Sequence, residues 1–126
     1  MNAQVLVVSR DQMLLHTRQL ILGAFFEVQG AGRIRDAEAL ISTRSFDLII
    51  LCYTLSESEC LHVLEMVADL MPRPRILILN PAGSPPEEPL LNQAVMLTES
   101  GPYFLLKKTA EMLGVDIKSK ASLAVA

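Results

Sequence analysis

Short apolar runs and longer segments of helical periodicity alternate along the chain. The four clearest runs are residues 5–8, 48–51, 76–79 and 95–97, and a weaker one covers residues 27–29 before Gly30. The apolar residues of these runs do not alternate with polar ones, which indicates strands that are covered on both faces. Such strands are typical of a parallel sheet between two layers of helices.

Two helices are predicted between the first three strands. The first covers residues 12–22, and three residues share one of its faces: Leu14, Thr17 and Ile21. The second is short and follows Asp36, a residue type that often caps helix N-termini. Its apolar positions are Ala37, Leu40 and Ile41.

The second half of the chain predicts two further helices. One covers residues 57–70, with Ser56 or Ser58 as its N-cap. Its apolar stripe repeats at helical spacing: Cys60, Leu64, Val67 and Met71. The last helix begins near Pro102, closes at Gly114 and groups Leu106, Ala110 and Leu113. Four prolines between residues 81 and 89 indicate that any helix before the last strand is short or displaced to residues 90–93.

The order of these elements predicts an α/β fold of the (βα)5 type, with right-handed crossovers. Its 126 residues, 51% hydrophobic and 20% charged, are enough for one domain with its own core. Ligands of such folds bind at the carboxyl ends of the strands, so the loops after Val8, Leu51 and Leu79 are the first places to search for a site.

Charge and composition exclude several classes of function. The net charge is -3 and no Lys/Arg stripe is present, so direct nucleic-acid contact is not expected. No apolar run approaches the roughly 20 residues of a membrane span. Cys52 and Cys60 are too few for a secreted disulfide framework, which favours a cytoplasmic protein. No nucleophile elbow, phosphate loop or dinucleotide fingerprint occurs, so neither an enzyme nor a cofactor is predicted.

The spacing of the histidines in the sequence predicts no metal site. Neither His16 nor His62 has a second histidine or a cysteine at metal-ligand spacing. We therefore expect His16 on the surface of the first helix and His62 in an ordinary structural role in the third.

Five segments resemble the response-regulator receiver domains in order and spacing, and the match covers residues 3–114. Residues 5–11 resemble the first strand and its acidic loop, and residues 35–41 resemble the second helix. Residues 46–52 resemble the strand before the phosphorylated aspartate, and residues 75–80 the strand that ends in the switch hydroxyl. Residues 97–106 are similar to the segment with the lysine and proline before the last helix. The resemblance implies a three-layer, doubly wound, flavodoxin-like fold with sheet order 2-1-3-4-5.

The residues that carry receiver chemistry are replaced in this sequence. The resemblance places Cys52 at the phosphoacceptor aspartate, and Ser9 and Arg10 at the acidic pair that holds Mg²⁺. It places Asn80 at the switch hydroxyl and Glu99 at the phosphate-binding lysine. Asp11 remains beside the pair, at a position that the family usually points to solvent. We therefore expect neither metal binding nor aspartyl phosphorylation.

Two hypotheses about the altered pocket remain open from the sequence. Arg10 and Glu99 either form an ion pair across the pocket or stay separately solvated. Cys52 is either a redox-sensitive thiol, with Arg10 nearby and Cys60 as resolving partner, or a small buried apolar side chain.

The predicted function is phosphorylation-independent signalling or transcription control in a bacterium, through contacts with other proteins. By analogy with the family, Tyr103 and Phe104 beside the fifth strand are the predicted interaction surface, and a second copy of the chain is one candidate partner. The alternative is a small-ligand or redox sensor that uses the pocket around Cys52. We predict that residues 1–115 form the receiver-like domain and that residues 116–126 form a mobile tail.

Overall fold

The structure is a computed structural model of the 126-residue chain, and it describes residues 3–80, 94–98 and 102–115. Its strands are β1 (Gln4–Val8), β2 (Glu27–Ala31), β3 (Leu48–Leu51), β4 (Arg75–Asn80) and β5 (Ala94–Thr98). Its helices are α1 (Gln12–Gly23), α2 (Ile34–Thr43), α3 (Glu57–Val67) and α4 (Pro102–Leu113). The predicted tail and the proline-rich segment lie outside the described residues. No helix in the described ranges is long and apolar enough to cross a membrane.

The five strands form one parallel sheet in the order β2-β1-β3-β4-β5, which confirms the predicted flavodoxin-like topology. Val8 at the end of β1 is level with Ala31 at the end of β2 and with Leu51 at the end of β3. The loops after β1 and β3 therefore leave the sheet side by side. This pairing brings residues more than 40 positions apart in sequence to one edge of the sheet.

The core consists of two apolar layers, one on each face of the sheet. In β1, Leu6 and Val8 pack with α2 and α3, while Val5 and Val7 pack with α1 and α4. All four residues of β3 are buried. Burial on both faces explains why the strands appear as uninterrupted apolar runs in the sequence.

The predicted N-caps of α2 and α3 had different outcomes. Ser56 caps α3 in a capping box, in which its hydroxyl accepts from Glu59 N and the Glu59 carboxylate accepts from Ser56 N. Ser58 is therefore not the cap. Asp36 is also not a cap, because α2 begins at Ile34 and has Arg33 in the N-cap position. Ile34 packs against the α2–α3 layer, so the helix starts before Asp36, which lies in its first turn.

Two predictions about the helices were wrong in detail. The buried face of α1 consists of Leu15, Arg18 and Leu22, one position on from the predicted face. Because α1 has apolar residues on several sides, spacing alone did not distinguish the two faces. Helix α3 ends at Val67, three residues earlier than predicted, and Met71 is 93% exposed rather than part of the apolar stripe.

One glycine has a close side-chain neighbour, and another adopts a left-handed backbone conformation. Gly30 lies within β2, where a Cβ would stand 2.6 Å from the end of the Gln19 side chain of α1. Gly114 follows α4 with φ +69°, a left-handed conformation that favours glycine and closes the helix as predicted.

Candidate functional site

The candidate site lies at the carboxyl edge of the sheet, where the loops after β1 and β3 meet. Ser9 N donates to Ala31 O at 3.0 Å, and Cys52 N donates to Val8 O at 3.0 Å. Asn80 ends β4 at the same edge, in register with Thr98 of β5. The backbone thus brings Ser9, Cys52 and Asn80 to one edge of the sheet. Glu99 lies outside the described residues.

A pair of hydroxyl groups joins the two loops. Ser9 is fully buried, and its Oγ lies 3.2 Å from Thr54 Oγ1. Thr54 Oγ1 also accepts from Arg10 N at 3.0 Å, and Ser9 Oγ accepts from Asp11 N at 3.2 Å. A single threonine therefore binds both residues that follow β1.

Arg10 forms a bidentate ion pair with Glu59 at the start of α3. Its Nε lies 3.1 Å and 3.0 Å from the two carboxylate oxygens, and its Nη2 lies 2.6 Å from Oε2. The Arg10 side chain is 62% exposed and the Glu59 side chain 16%. The hydrogen bond from Arg10 lowers the pKa of Glu59, burial partly opposes this, and the hydrogen bonds from Ser56 lower the pKa further. The same pair raises the pKa of Arg10.

Within the described residues the partner of Arg10 is Glu59. The alternative partner considered from the sequence, Glu99, lies outside the described residues, so that pairing stays a hypothesis. Sequence reasoning missed Glu59 because the contact depends on how α3 is oriented over the sheet, which the sequence pattern does not reveal. A usable signal was present in the residues from Ser56 to Glu59, since Ser-x-x-Glu is the capping-box pattern and fixes the glutamate in the first helical turn.

The one acid that remains after β1 has a structural role. Asp11 is the N-cap of α1, and its Oδ1 accepts from Met13 N at 2.9 Å and from Leu14 N at 3.1 Å. No group of three or more His, Cys, Asp or Glu side chains suited to a metal ion occurs in the part of the chain that the structure describes.

The two cysteines are not joined in a disulfide, and they lie on opposite faces of the sheet. Cys52 is 1% exposed and packs in the layer with α1 and α4. Cys60 is 5% exposed and packs in the layer with α2 and α3. Burial raises the pKa of the Cys60 thiol to about 11, and the negative charge of Glu59 adds to the shift. Cys60 is therefore poorly suited to act as a resolving thiolate.

Arg18 is a buried cation near this edge that the sequence analysis did not single out. It extends from the inner face of α1, is 2% exposed, and its guanidinium carbon lies 5.9 Å from the ring centroid of Tyr53. This distance is within the range of a cation–π contact, and Tyr53 directly follows Cys52. The available signal was its position between Leu15 and Leu22 on the buried stripe.

The predicted interaction residues form an exposed aromatic pair in the first turn of α4. Tyr103 is 58% exposed and Phe104 is 49% exposed. Their ring centroids are 5.7 Å apart and the rings meet edge to face at 83°. Both rings are accessible from solvent in the described part of the structure.

Comparison with known proteins finds structural relatives without matches at the sequence level. No protein-family model and no curated protein matches the chain. A CheY-like response regulator receiver domain protein from Methanospirillum hungatei superposes with a TM-score of 0.72 at 23% identity, over 90% of this chain and 95% of its own. The chemotaxis response regulator CheY4 of Vibrio cholerae gives 0.73 at 22%, over 89% and 99%. The signal receiver domain of an HD domain-containing protein from Pseudomonas fluorescens gives 0.71 at 18%, over 90% and 96%.

These matches and the strand order define a doubly wound, flavodoxin-like α/β domain. Within that class, the fold is that of the CheY-like response-regulator receiver domains. Fold alone does not determine function, so the function has to be argued from the site.

Proposed function

We propose that this chain is a receiver-like domain that acts in signalling or transcription control without aspartyl phosphorylation, through contacts with other proteins. In this proposal Cys52, Ser9, Arg10, Asn80 and Glu99 are the altered counterparts of the receiver site. The domain has no catalytic activity of its own and functions in the cytoplasm.

Two contacts join the loop after β1 to the segment after β3, Ser9–Thr54 and Arg10–Glu59, and we call them the joint. The joint is the observation that supports this proposal most strongly. Receiver chemistry needs a carboxylate that accepts the phosphoryl group and further carboxylates that hold Mg²⁺. At the corresponding positions Cys52 is buried, Ser9 contacts Thr54, and Arg10 is paired with Glu59. The pair with Arg10 also engages the Glu59 carboxylate, so this acid is not available to hold Mg²⁺.

Phosphoryl transfer from acetyl phosphate in the presence of Mg²⁺ tests the proposal directly. We expect intact-protein mass spectrometry to show no added phosphoryl group on the wild type. A conventional receiver domain, treated in parallel, has to become labelled. A variant with Cys52→Asp, Ser9→Asp and Arg10→Asp tests whether the fold still supports aspartyl phosphorylation.

The outcomes show whether the substituted side chains or the fold itself account for the absence of phosphorylation. Labelling of a wild-type carboxylate at the edge of the sheet would contradict the proposal. Labelling of the triple variant alone would support it, because the substituted side chains would then account for the loss of activity.

Tyr103 and Phe104 are the proposed contact surface. Exposed aromatic pairs supply large apolar area at low conformational cost, and aromatic residues are enriched in protein interfaces. If a second copy of the chain is the partner, sedimentation velocity is expected to show a dimer that Tyr103→Ser with Phe104→Ser dissociates. The exposed residues Met13 and Leu20 of α1 provide a matched control pair for the same substitutions.

A sensor built around Cys52 has less support. A reactive thiol needs access to solvent, whereas Cys52 is 1% exposed and Cys60 packs on the other face of the sheet. Rapid reaction of either thiol with a thiol reagent under native conditions would favour the sensor.

A further inference from the structure

An open cleft lies at the amino edge of the sheet, on the side opposite to the candidate site. It has a volume of about 850 Å³ and extends from the end of α4 along the starts of β4, β3, β1 and β2. Residues from each of these elements line it: Leu113, Val115, Arg75, Asp47, Gln4 and Glu27. Val115 is also the last residue that the structure describes, so the chain continues from the wall of the cleft into residues 116–126.

The cleft presents accessible apolar surface. Ala3, Leu113 and Val115 are half-buried, so each keeps part of its apolar surface in contact with solvent. Pro72 also lines the cleft and is exposed. Covering such apolar surface is favourable, because it removes that surface from water.

The charged side chains of the cleft are separated along the sheet. Arg75 and Arg73 lie at the β4 end, where Arg75 donates to the carbonyl of Met112 in α4. Exposed acids lie further along, with Asp47 directly before β3 and Glu27 at the start of the edge strand β2. A segment that leaves α4 and crosses the cleft therefore passes two cations first and two acids afterwards.

Residues 116–126 carry the complementary charges in the matching order. Asp116 comes first, and Lys118 and Lys120 follow it. The larger apolar residues all occupy odd-numbered positions, which would place them on one side of an extended segment: Ile117, Leu123 and Val125. A segment of 11 residues reaches about 36 Å when it is extended, whereas the three strand spacings from β4 to β2 amount to about 14 Å. The segment is therefore long enough to cross the cleft.

We propose that residues 116–126 bind in this cleft as an extended segment, with Ile117 and Leu123 against its apolar surface and the two lysines beside its acids. The covalent link to α4 keeps the segment near the cleft at a high effective concentration, so weak contacts are sufficient for binding. The long apolar stems of the lysines let their charges reach the rim while the apolar side faces inward. The order of the charges favours this segment over a separate partner, because it matches the direction in which the chain leaves α4.

This inference goes beyond the proposed function and does not depend on it. The cleft lies at the amino ends of the strands, whereas Ser9, Cys52 and Asn80 lie at the carboxyl ends. Binding of the segment therefore stands or fails separately from the outcome of the phosphorylation test.

Backbone relaxation of the full chain, measured by NMR, tests the proposal. We expect heteronuclear NOE values at residues 117–123 close to those of α4, whereas the mobile tail expected from the sequence would give much lower values. Ile117→Ser with Leu123→Ser is expected to lower these values and to shift the amide signals of residues 3–4, 27, 46–47 and 113–115. Ala124→Ser with Ala126→Ser is the matched control, since both positions are even-numbered, and it should leave the values and the signals unchanged.

A second pair of variants tests the lysines. Lys118→Gln with Lys120→Gln should lower the ratio of bound to free segment about two- to fivefold, as ion pairs at an exposed rim imply. The ratio is measured from the amide signals of the cleft, which should move from the wild-type positions towards those of the double serine variant. Lys107→Gln with Lys108→Gln removes the same charge from α4 and is the control, because neither lysine lines the cleft.

Several results would overturn the proposal. These are mobility of residues 117–123 in the wild type, signal changes confined to another surface, and equal effects of the two serine pairs or of the two glutamine pairs. Release of the segment on tenfold dilution would also overturn it, since the segment would then bind to a second copy of the chain.

Discussion

At the scale of single residues, the side chains at the receiver-site positions hold the two loops together. Arg10 spans from the loop after β1 to Glu59 of α3, and Ser9 contacts Thr54 beside the end of β3. Glu59 also accepts from Ser56 N, so one carboxylate both caps the helix and receives the guanidinium. Loss of its charge should therefore affect the joint more than the cap.

The pH dependence of stability tests the role of the Glu59 charge. In the folded state the pKa of this carboxylate lies below its usual value of 4.5. Its contribution to the free energy of unfolding is therefore fully present above about pH 4.5 and is lost as pH falls through the lower, folded-state pKa. We expect wild type to be more stable than Glu59→Gln at neutral pH, and the difference to shrink as pH is lowered. Urea unfolding of both proteins from neutral pH down to about pH 3 measures this.

Glu57→Gln is a suitable comparison, because Glu57 lies in the same helical turn but is not bound by Arg10. Its stability relative to wild type should change less over the same range. A difference between wild type and Glu59→Gln that stays constant as pH falls would contradict the assigned role of the charge.

At the site, the sequence predicted the positions of the residues but not their contacts. The positions of Ser9, Arg10 and Cys52 were predictable, because each follows a strand and parallel strands end at a common edge. The partners of these residues were not, since the Arg10–Glu59 contact depends on how α3 is oriented over the sheet. Arg18 was missed for a related reason: a charged residue in a helix is usually exposed, and its burial depends on the packing of α1.

At the scale of helices and strands, the apolar runs were reliable and the helix faces were not. Burial on both faces requires every residue of a central strand such as β3 to be apolar, which leaves a clear pattern. The weak signal of β2 reflects its polar and glycine residues, which are tolerated because it is the edge strand. In α1 the apolar residues exceed what one face can bury, so Met13 and Leu20 are exposed and the pattern is ambiguous.

Asp11 gives a prediction at the level of α1. Its carboxylate accepts two backbone N–H groups of the first turn, so Asp11→Ala should lower the free energy of unfolding by about 1 kcal/mol. Asp11→Asn retains a capping oxygen and should be close to wild type. Chemical denaturation of the three proteins measures both differences.

The addition of Mg²⁺ to the same samples separates a cap from a metal ligand. A cap predicts the same unfolding midpoint with and without the cation for all three proteins. Stabilisation of wild type by Mg²⁺ that disappears in Asp11→Asn would show instead that the carboxylate binds metal.

At the scale of the whole molecule, we expect the carboxyl edge of the sheet to keep one conformation. Two separate contacts, Ser9–Thr54 and Arg10–Glu59, link the loop after β1 to the segment after β3. A receiver-type switch would have to break or rearrange both. We therefore expect beryllofluoride with Mg²⁺ to leave amide hydrogen exchange of the wild type unchanged over residues 3–80.

Removing both links should loosen the edge without unfolding the sheet. In the variant with Arg10→Ala and Thr54→Ala, exchange is expected to rise at residues 9–11 and 53–59, because these segments then open locally at lower free energy. The buried strands β1 and β3 should retain their protection, since their apolar layers are untouched. Arg35→Ala with Thr43→Ala on α2 is the matched control, because Arg35 is exposed, the Thr43 hydroxyl donates to Ala39 O, and neither residue takes part in the Ser9–Thr54 or Arg10–Glu59 contact. Protection of residues 9–11 by beryllofluoride in the wild type would contradict the idea of a fixed edge, since the loop would then still respond to a phosphate analogue.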